Sequence, residues 1–216
     1  MRQDPTLRIS EIFHSIQGES TRVGLPTTFV RLTGCPLRCV LCDTEYAFTG
    51  GESMPLTAVL ARIDALGCRT VCVTGGEPLA QKACVTLLTA LCDANCSVSL
   101  ETSGALDISV VDPRVSRIVD LKAPDSGEAD KNLWANLDHL TPRDELKLVL
   151  ASTADYEWAR RQIAERRLSD RCPVLLSSVA DRLKPADLAE WILRDRLPVR
   201  FQLQMHKALW GGAPGH

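Results

Sequence analysis

Apolar strand-like runs alternating with helix-like stripes predict an α/β chain, folded as a partial, distorted β/α barrel of six or seven mainly parallel strands. Two further observations support that reading. Polar and glycine residues collect just after the strand-like runs, where such folds carry their active sites. The 216 residues suffice for one full core, so residues 1–216 read as a single domain.

In order, residues 7–14 alternate as a strand and lead into the polar stretch Ser15-Ile16-Gln17-Gly18-Glu19-Ser20, which composition alone makes a glycine turn. Residues 27–33 form the next strand and stop at a cysteine loop, 34–44. Gly50-Gly51 precedes a helix over 54–66, with Leu56, Val59, Leu60, Ile63 and Leu66 in one stripe. The run 71–73 is a short buried strand ending in Gly75-Gly76. Pro78 suits the first turn of a helix over 79–93. A glycine pair there lets backbone approach a ligand closely, although any tight βα turn can carry one. Strands recur at 97–102, 117–123, 146–150 and 173–178, with helices over 154–167 and 185–196. Residues 199–205 alternate strictly, end the series as a strand and present His206 and Lys207.

Composition narrows the function class. Hydrophobic residues make up 45% and charged residues 24%, the balance of a water-soluble globule. A net charge of −2 offers no basic field for nucleic acid or an anionic membrane. The arginines between 160 and 167 are interspersed with acids and read as a solvated helix face. No window approaches the roughly 18 apolar residues of a membrane span. The first five residues show no apolar signal region, so a reducing cytoplasm is expected.

The loop Gly34-Cys35-Pro36-Leu37-Arg38-Cys39-Val40-Leu41-Cys42-Asp43-Thr44 spaces its cysteines C-x3-C-x2-C. Three thiolates can hold three irons of a [4Fe–4S] cluster, which normally takes four, and leave the fourth iron open for chemistry. Structural zinc prefers two cysteine or histidine pairs, and only Cys39 and Cys42 make one. Nine cysteines, an odd count, argue against a disulfide framework; ordinary thiols remain a third reading. Cys68, Cys72, Cys84, Cys92, Cys96 and Cys172 form no group of four in sequence, so no second cluster is expected.

The cysteine spacing resembles the cluster loop of the radical S-adenosylmethionine superfamily, and Thr74-Gly75-Gly76-Glu77-Pro78 resembles the stretch that there cradles the methionyl amine. With Ile16-Gln17-Gly18-Glu19, Phe29-Val30-Arg31, Glu101-Thr102-Ser103-Gly104, Asp120-Leu121-Lys122 and the stretch from Gln202 to Lys207, the likeness sharpens. From about Ser10 to Trp210 the chain resembles the 7-carboxy-7-deazaguanine synthase family of queuosine and deazapurine biosynthesis.

That resemblance implies conversion of 6-carboxy-5,6,7,8-tetrahydropterin to 7-carboxy-7-deazaguanine with loss of ammonia. A 5′-deoxyadenosyl radical takes hydrogen from the pterin C6 and later returns it. It implies a [4Fe–4S] cluster on Cys35, Cys39 and Cys42, S-adenosyl-L-methionine, and Mg2+ on Thr44. Ile16, Gln17, Gly18, Glu19, Arg31, Thr74 and His206 are the implied substrate residues, with the Arg31 fork matched to the pterin carboxylate. Leu41, Cys42, Asp43, Gly75, Gly76, Glu77, Glu101, Asp120, Leu121, Lys122, Ser177 and Ser178 are the implied nucleotide residues. Outside that likeness, a lone Arg or His is ordinarily structural.

A flavodoxin or ferredoxin donor and a homodimer are also implied. Two positions depart from the usual pattern. Leu41 stands where an aromatic ring commonly packs on adenine, and Ser178 where relatives often have proline. The alternatives are an activase that makes a glycyl radical on a partner protein, and a non-enzymatic zinc or iron–sulfur module.

Overall fold

The computed structural model describes residues 4–211 and 215. Its elements are β1 (Thr6–Ile16), β2 (Pro26–Leu32), β3 (Glu52–Pro55), α1 (Leu56–Ala65), β4 (Thr70–Gly75), α2 (Ala83–Asp93), β5 (Ser97–Thr102), β6 (Ser116–Asp120), β7 (Glu145–Leu150), α3 (Thr153–Glu165), β8 (Val174–Ser178), α4 (Pro185–Asp195), β9 (Arg200–Phe201) and α5 (Met205–Trp210). The strands form one open sheet in the order β3-β1-β2-β4-β5-β6-β7-β8-β9. From β2 to β9 every pairing is parallel, while β1 runs antiparallel to both β2 and β3. The result is an unclosed β/α sheet consistent with a partial, distorted barrel. Its connections return each parallel strand's C-terminal end to the same side.

Two buried clusters hold it. Leu56, Val59 and Ile63 of α1 join Leu87, Leu88 and Leu91 of α2 over β1, β2, β4 and β5. Tyr156, Ala159 and Ile163 of α3 join Leu188 and Ile192 of α4 over β7 and β8. Tyr156 is fully buried, and its hydroxyl donates to the Trp191 carbonyl at 2.9 Å and Asp195 Oδ2 at 2.8 Å.

Four boundaries differ from the sequence expectation, the first being the strand expected over 117–123, which ends at Asp120. Residues 52–55 are not helix but the edge strand β3, paired to residues 6–9 of β1; Pro55, extended at ψ 149°, starts α1. The expected helix over 79–93 opens on a 3-10 turn at Pro78–Ala80, and α2 begins at Ala83. The expected strand over 199–205 is only Arg200–Phe201. Gln202 still donates its N–H to the Leu176 carbonyl at 2.9 Å, but its side-chain amide turns to the Ser20 carbonyl at 3.0 Å, and the chain coils into α5. The alternation there reflects bonds to the loop after β1, not a ladder. Among the described residues no helix is long and apolar enough to cross a membrane.

Candidate active site

A cavity of about 290 Å3 opens at the C-terminal ends of the parallel strands. One wall carries Cys35, Cys39, Leu41, Cys42, Asp43 and Thr44. The lining also includes Ile16, Gln17, Gly18, Glu19, Arg31 and Thr74, with Gly75, Gly76, Glu101, Asp120, Leu121, Lys122 and His206. Three expected residues lie elsewhere. Glu77 is fully buried beneath the cavity, where its carboxylate accepts from Thr102 Oγ1 at 2.9 Å, Ser103 N at 2.7 Å and Leu79 N at 2.9 Å. It latches the end of β4 to the end of β5. Ser177 and Ser178 are buried in β8, and Val179 lines the cavity instead.

No helix or strand spans the cysteine loop. It is anchored where Gly34 N–H donates to the Ala47 carbonyl at 2.8 Å and Val40 N–H to the Ser126 carbonyl at 2.9 Å. A Cβ on Gly76 would collide with the Gly34 carbonyl and come within 2.8 Å of Cys35 Cβ. Gly76 makes room for the cysteine loop, while a Cβ on Gly75 would strike the Leu32 backbone of β2. The three thiols are half-buried, and burial pushes all three above the ordinary thiol range. The Lys122 ammonium draws each back only in part.

The opposite wall is a connected polar set. Gln17, 3% exposed, donates Nε2 to Glu101 Oε1 at 3.3 Å, and Thr74 Oγ1 donates to Glu101 Oε2 at 2.9 Å. Glu101 therefore sits with the expected substrate residues. Glu19 accepts from Lys147 Nζ and from Gln204 Nε2, each at 2.6 Å. Burial pushes its carboxyl up, but the Lys147 ammonium and the hydrogen bonds from Lys147 and Gln204 together hold it below the usual range. Lys147 Nζ also lies 3.4 Å from Asp120, which pairs with Lys122 at 3.2 Å. Met205 N–H donates to the Gly18 carbonyl at 3.0 Å. A side chain at Gly18 would strike the His206 ring, so this glycine lets α5 dock.

The model of the radical SAM superfamily matches residues 29–165. The 7-carboxy-7-deazaguanine synthase of Chlorobaculum tepidum is 48% identical over 213 residues, 97% of either chain. The chain belongs to this family. The 7-carboxy-7-deazaguanine synthase of Koribacter versatilis is 41% identical, covering 94% of this chain and 97% of its own. The crystal structure of QueE from Escherichia coli matches in fold, with a TM-score of 0.77 at 24% identity over 93% of this chain and 95% of that one.

Membership of the radical SAM superfamily implies a [4Fe–4S] cluster and S-adenosylmethionine. The residues fit both. Three free thiols line one cavity, the number that holds three irons of a cluster and leaves the fourth open. Thiols pushed up by burial lose their protons on metal binding, which couples uptake to pH. Beside them, Asp120 and Lys122 offer an acceptor and a donor to a zwitterionic nucleotide end.

Sequence reasoning gave no site role to Lys147, Gln204, Lys207, Phe13 or Tyr46, all of which line the cavity. Lys147 had a signal: a lone cation inside the apolar run Leu146-Lys147-Leu148 either faces solvent or faces a carboxylate. Gln204 belonged to the alternation of the last predicted strand. Tyr46 and Phe13 carried none.

Proposed function

We propose that this chain converts 6-carboxy-5,6,7,8-tetrahydropterin to 7-carboxy-7-deazaguanine by radical ring contraction with loss of ammonia, a step of queuosine biosynthesis. The supporting observation is one cavity with the Cys35, Cys39 and Cys42 thiols on one wall and Arg31 with the Gln17–Glu101–Thr74 set on the other. When bound, the reduced cluster and S-adenosylmethionine supply a carbon-centred radical that removes one substrate hydrogen and returns it.

The chain's own residues bind and orient. Arg31 takes the pterin carboxylate through its planar fork. Glu101, kept in place by Gln17 and Thr74, accepts the N–H groups of the amino-pyrimidinone edge. Glu19, paired with Lys147 and Gln204, fixes the loop that carries Gln17 and Gly18, and His206 meets the substrate from α5. Leu41, Asp43, Gly75, Gly76, Asp120, Leu121 and Lys122 face the nucleotide. Thr44 Oγ1, 2.9 Å from Asp43 Oδ1, is a hard oxygen donor for Mg2+. On this reading residues 1–216 form one catalytic domain, working in the cytoplasm as a homodimer with a flavodoxin or ferredoxin donor.

Anaerobic reconstitution with iron and sulfide, followed by dithionite, S-adenosylmethionine, Mg2+ and the carboxylated pterin, tests it. Mass-detected 7-carboxy-7-deazaguanine with little net loss of S-adenosylmethionine is expected. Cleavage of the nucleotide with no deazapurine would point to an activase and overturn the substrate. A protein that binds metal but cleaves nothing would overturn the enzyme reading.

A further inference from the structure

The environment of Arg31 is set by a fault in β1. Ile9 faces Leu32, yet Glu11 faces Arg31: two steps on β1 against one on β2, a bulge at Ser10. Before it, Leu7 and Ile9 point into the apolar cluster. After it, Ile12 does, and Glu11 and Phe13 turn to the other side. Without the bulge Glu11 would point into the core. Bulges re-aim side chains beside functional sites, and here the re-aimed side chain meets Arg31.

Glu11 Oε1 accepts from Arg31 Nε at 2.7 Å and from the Tyr46 hydroxyl at 2.9 Å. The guanidinium carbon lies 5.8 Å from the Tyr46 ring centre and 6.0 Å from that of Phe13, which stacks on Phe29 at 5.0 Å. Arg31 lines the cavity and Glu11 does not. The guanidinium's bond from Nε leaves both terminal amino groups without a protein acceptor among the described residues. A guanidinium held by Nε and flanked by rings keeps the parallel pair of N–H groups that a carboxylate takes bidentately.

We propose that Glu11, braced by Tyr46, is a positioning residue that fixes the plane of Arg31 and so makes the site selective for a carboxylated over an uncarboxylated pterin. This rests on the reading of Arg31 as the group that binds the substrate carboxylate.

The test is equilibrium binding of 6-carboxytetrahydropterin and of unsubstituted tetrahydropterin to the reconstituted protein, with KM and kcat alongside. Wild type is expected to prefer the carboxylated pterin. Glu11→Ala should weaken that ligand about tenfold, leave the unsubstituted one unchanged, and raise KM more than it lowers kcat. Glu11→Gln, which keeps the acceptor without the charge, should restore most of the preference. Tyr46→Phe, on a half-exposed ring, should give a loss of about two- to threefold confined to the carboxylated ligand, and it carries the test if Glu11→Ala does not fold.

Equal weakening of both pterins, no change, or tighter binding of the carboxylated pterin in Glu11→Ala would each overturn the proposal. In the last case Glu11 would be restraining Arg31's charge and not its plane. A wild type that binds the carboxylated pterin with no preference would overturn the reading of Arg31 itself, and the positioning role with it.

Discussion

The two walls of the cavity are built by opposite rules. Residues 34–44 have no regular structure, and their half-buried thiols meet local backbone, as where Leu37 N–H donates to Cys35 Sγ, with the Lys122 ammonium near all three. Across the cavity, Glu19, Lys147 and Gln204 come from the loop after β1, from β7 and from the turn before α5. Their polar groups are already matched to one another at 2.6 Å. A wall that receives metal has to keep its ligands uncommitted, because the metal supplies the bonds and the final geometry. A wall that receives an organic molecule works best when its dipoles are preset, so that no reorganisation is needed at the moment of reaction.

The largest test of that difference is Cys39→Ala. It should abolish cluster incorporation, read as iron content and visible absorbance, and reduce turnover to background. The metal-free protein should lose only about 1 kcal/mol of stability, the size of an ordinary partly buried truncation. If the metal-free variant unfolded at the wild-type purification temperature, the cysteine wall would be structural and the contrast would fail.

Lys147→Met comes next and attacks the preset wall. It leaves Glu19 buried with only Gln204 and the nearby His206 to offset desolvation. Breaking such a pair costs about 3–5 kcal/mol. The sign with pH is also fixed. In wild type the depressed Glu19 contributes fully above the unfolded carboxyl value of about 4.3 and loses that contribution as pH falls through the folded value. The raised Lys147 contributes fully below about 10.4, and its share is lost as pH rises through its folded value. In Lys147→Met, burial lifts Glu19 above its unfolded value, so stability should fall as pH rises from about 5 to about 8. Chemical denaturation of the metal-free variant at both pH values measures this; a flat profile would mean that Glu19 is not held in the charged state by Lys147.

Much of this architecture was legible in the sequence because the parallel strands are apolar on both faces and stand out against their flanks. The residues just past those runs, from the cysteine loop through Gly76, Glu101, Lys122 and His206, line one cavity for the same reason. What stayed hidden depended on pairing or parity. β3 offers only Met54 to the core and continues straight into the α1 stripe, so its last two residues, Met54 and Pro55, read as helix. The Ser10 bulge reverses which face Glu11 occupies, and no periodicity shows a reversal made by a single residue. Glu77 belongs to a motif that resembles a ligand cradle, yet its carboxylate is used up below the cavity by Thr102 and Ser103. A motif cannot say which of its members face the ligand and which brace those that do.

The smallest effect is expected where the two walls touch. Lys207 on α5 donates to Gln204 Oε1 at 2.7 Å and pairs with Asp43 of the cysteine loop at 2.9 Å, tying the preset wall to the uncommitted one. Burial alone would raise the Asp43 carboxyl; the Lys207 ammonium, with the Thr44 hydroxyl and Lys147, holds the group below the usual range. Asp43 is about half exposed, its side chain 47% accessible, so solvent screening limits the pair to about 0.5 kcal/mol, and Lys207→Met should barely move the melting temperature. Its effect should appear in function instead. With the tie cut, α5 and His206 keep the Met205–Gly18 bond and the Gln204–Glu19 bond to the substrate loop but lose this link to the cysteine loop. The variant should therefore take up iron normally and show a KM for the pterin raised by about two- to fivefold, the scale of one lost surface contact. A variant that lost iron would mean that α5 organises the cysteine loop as well as the substrate. The cysteine wall would then owe part of its geometry to the protein.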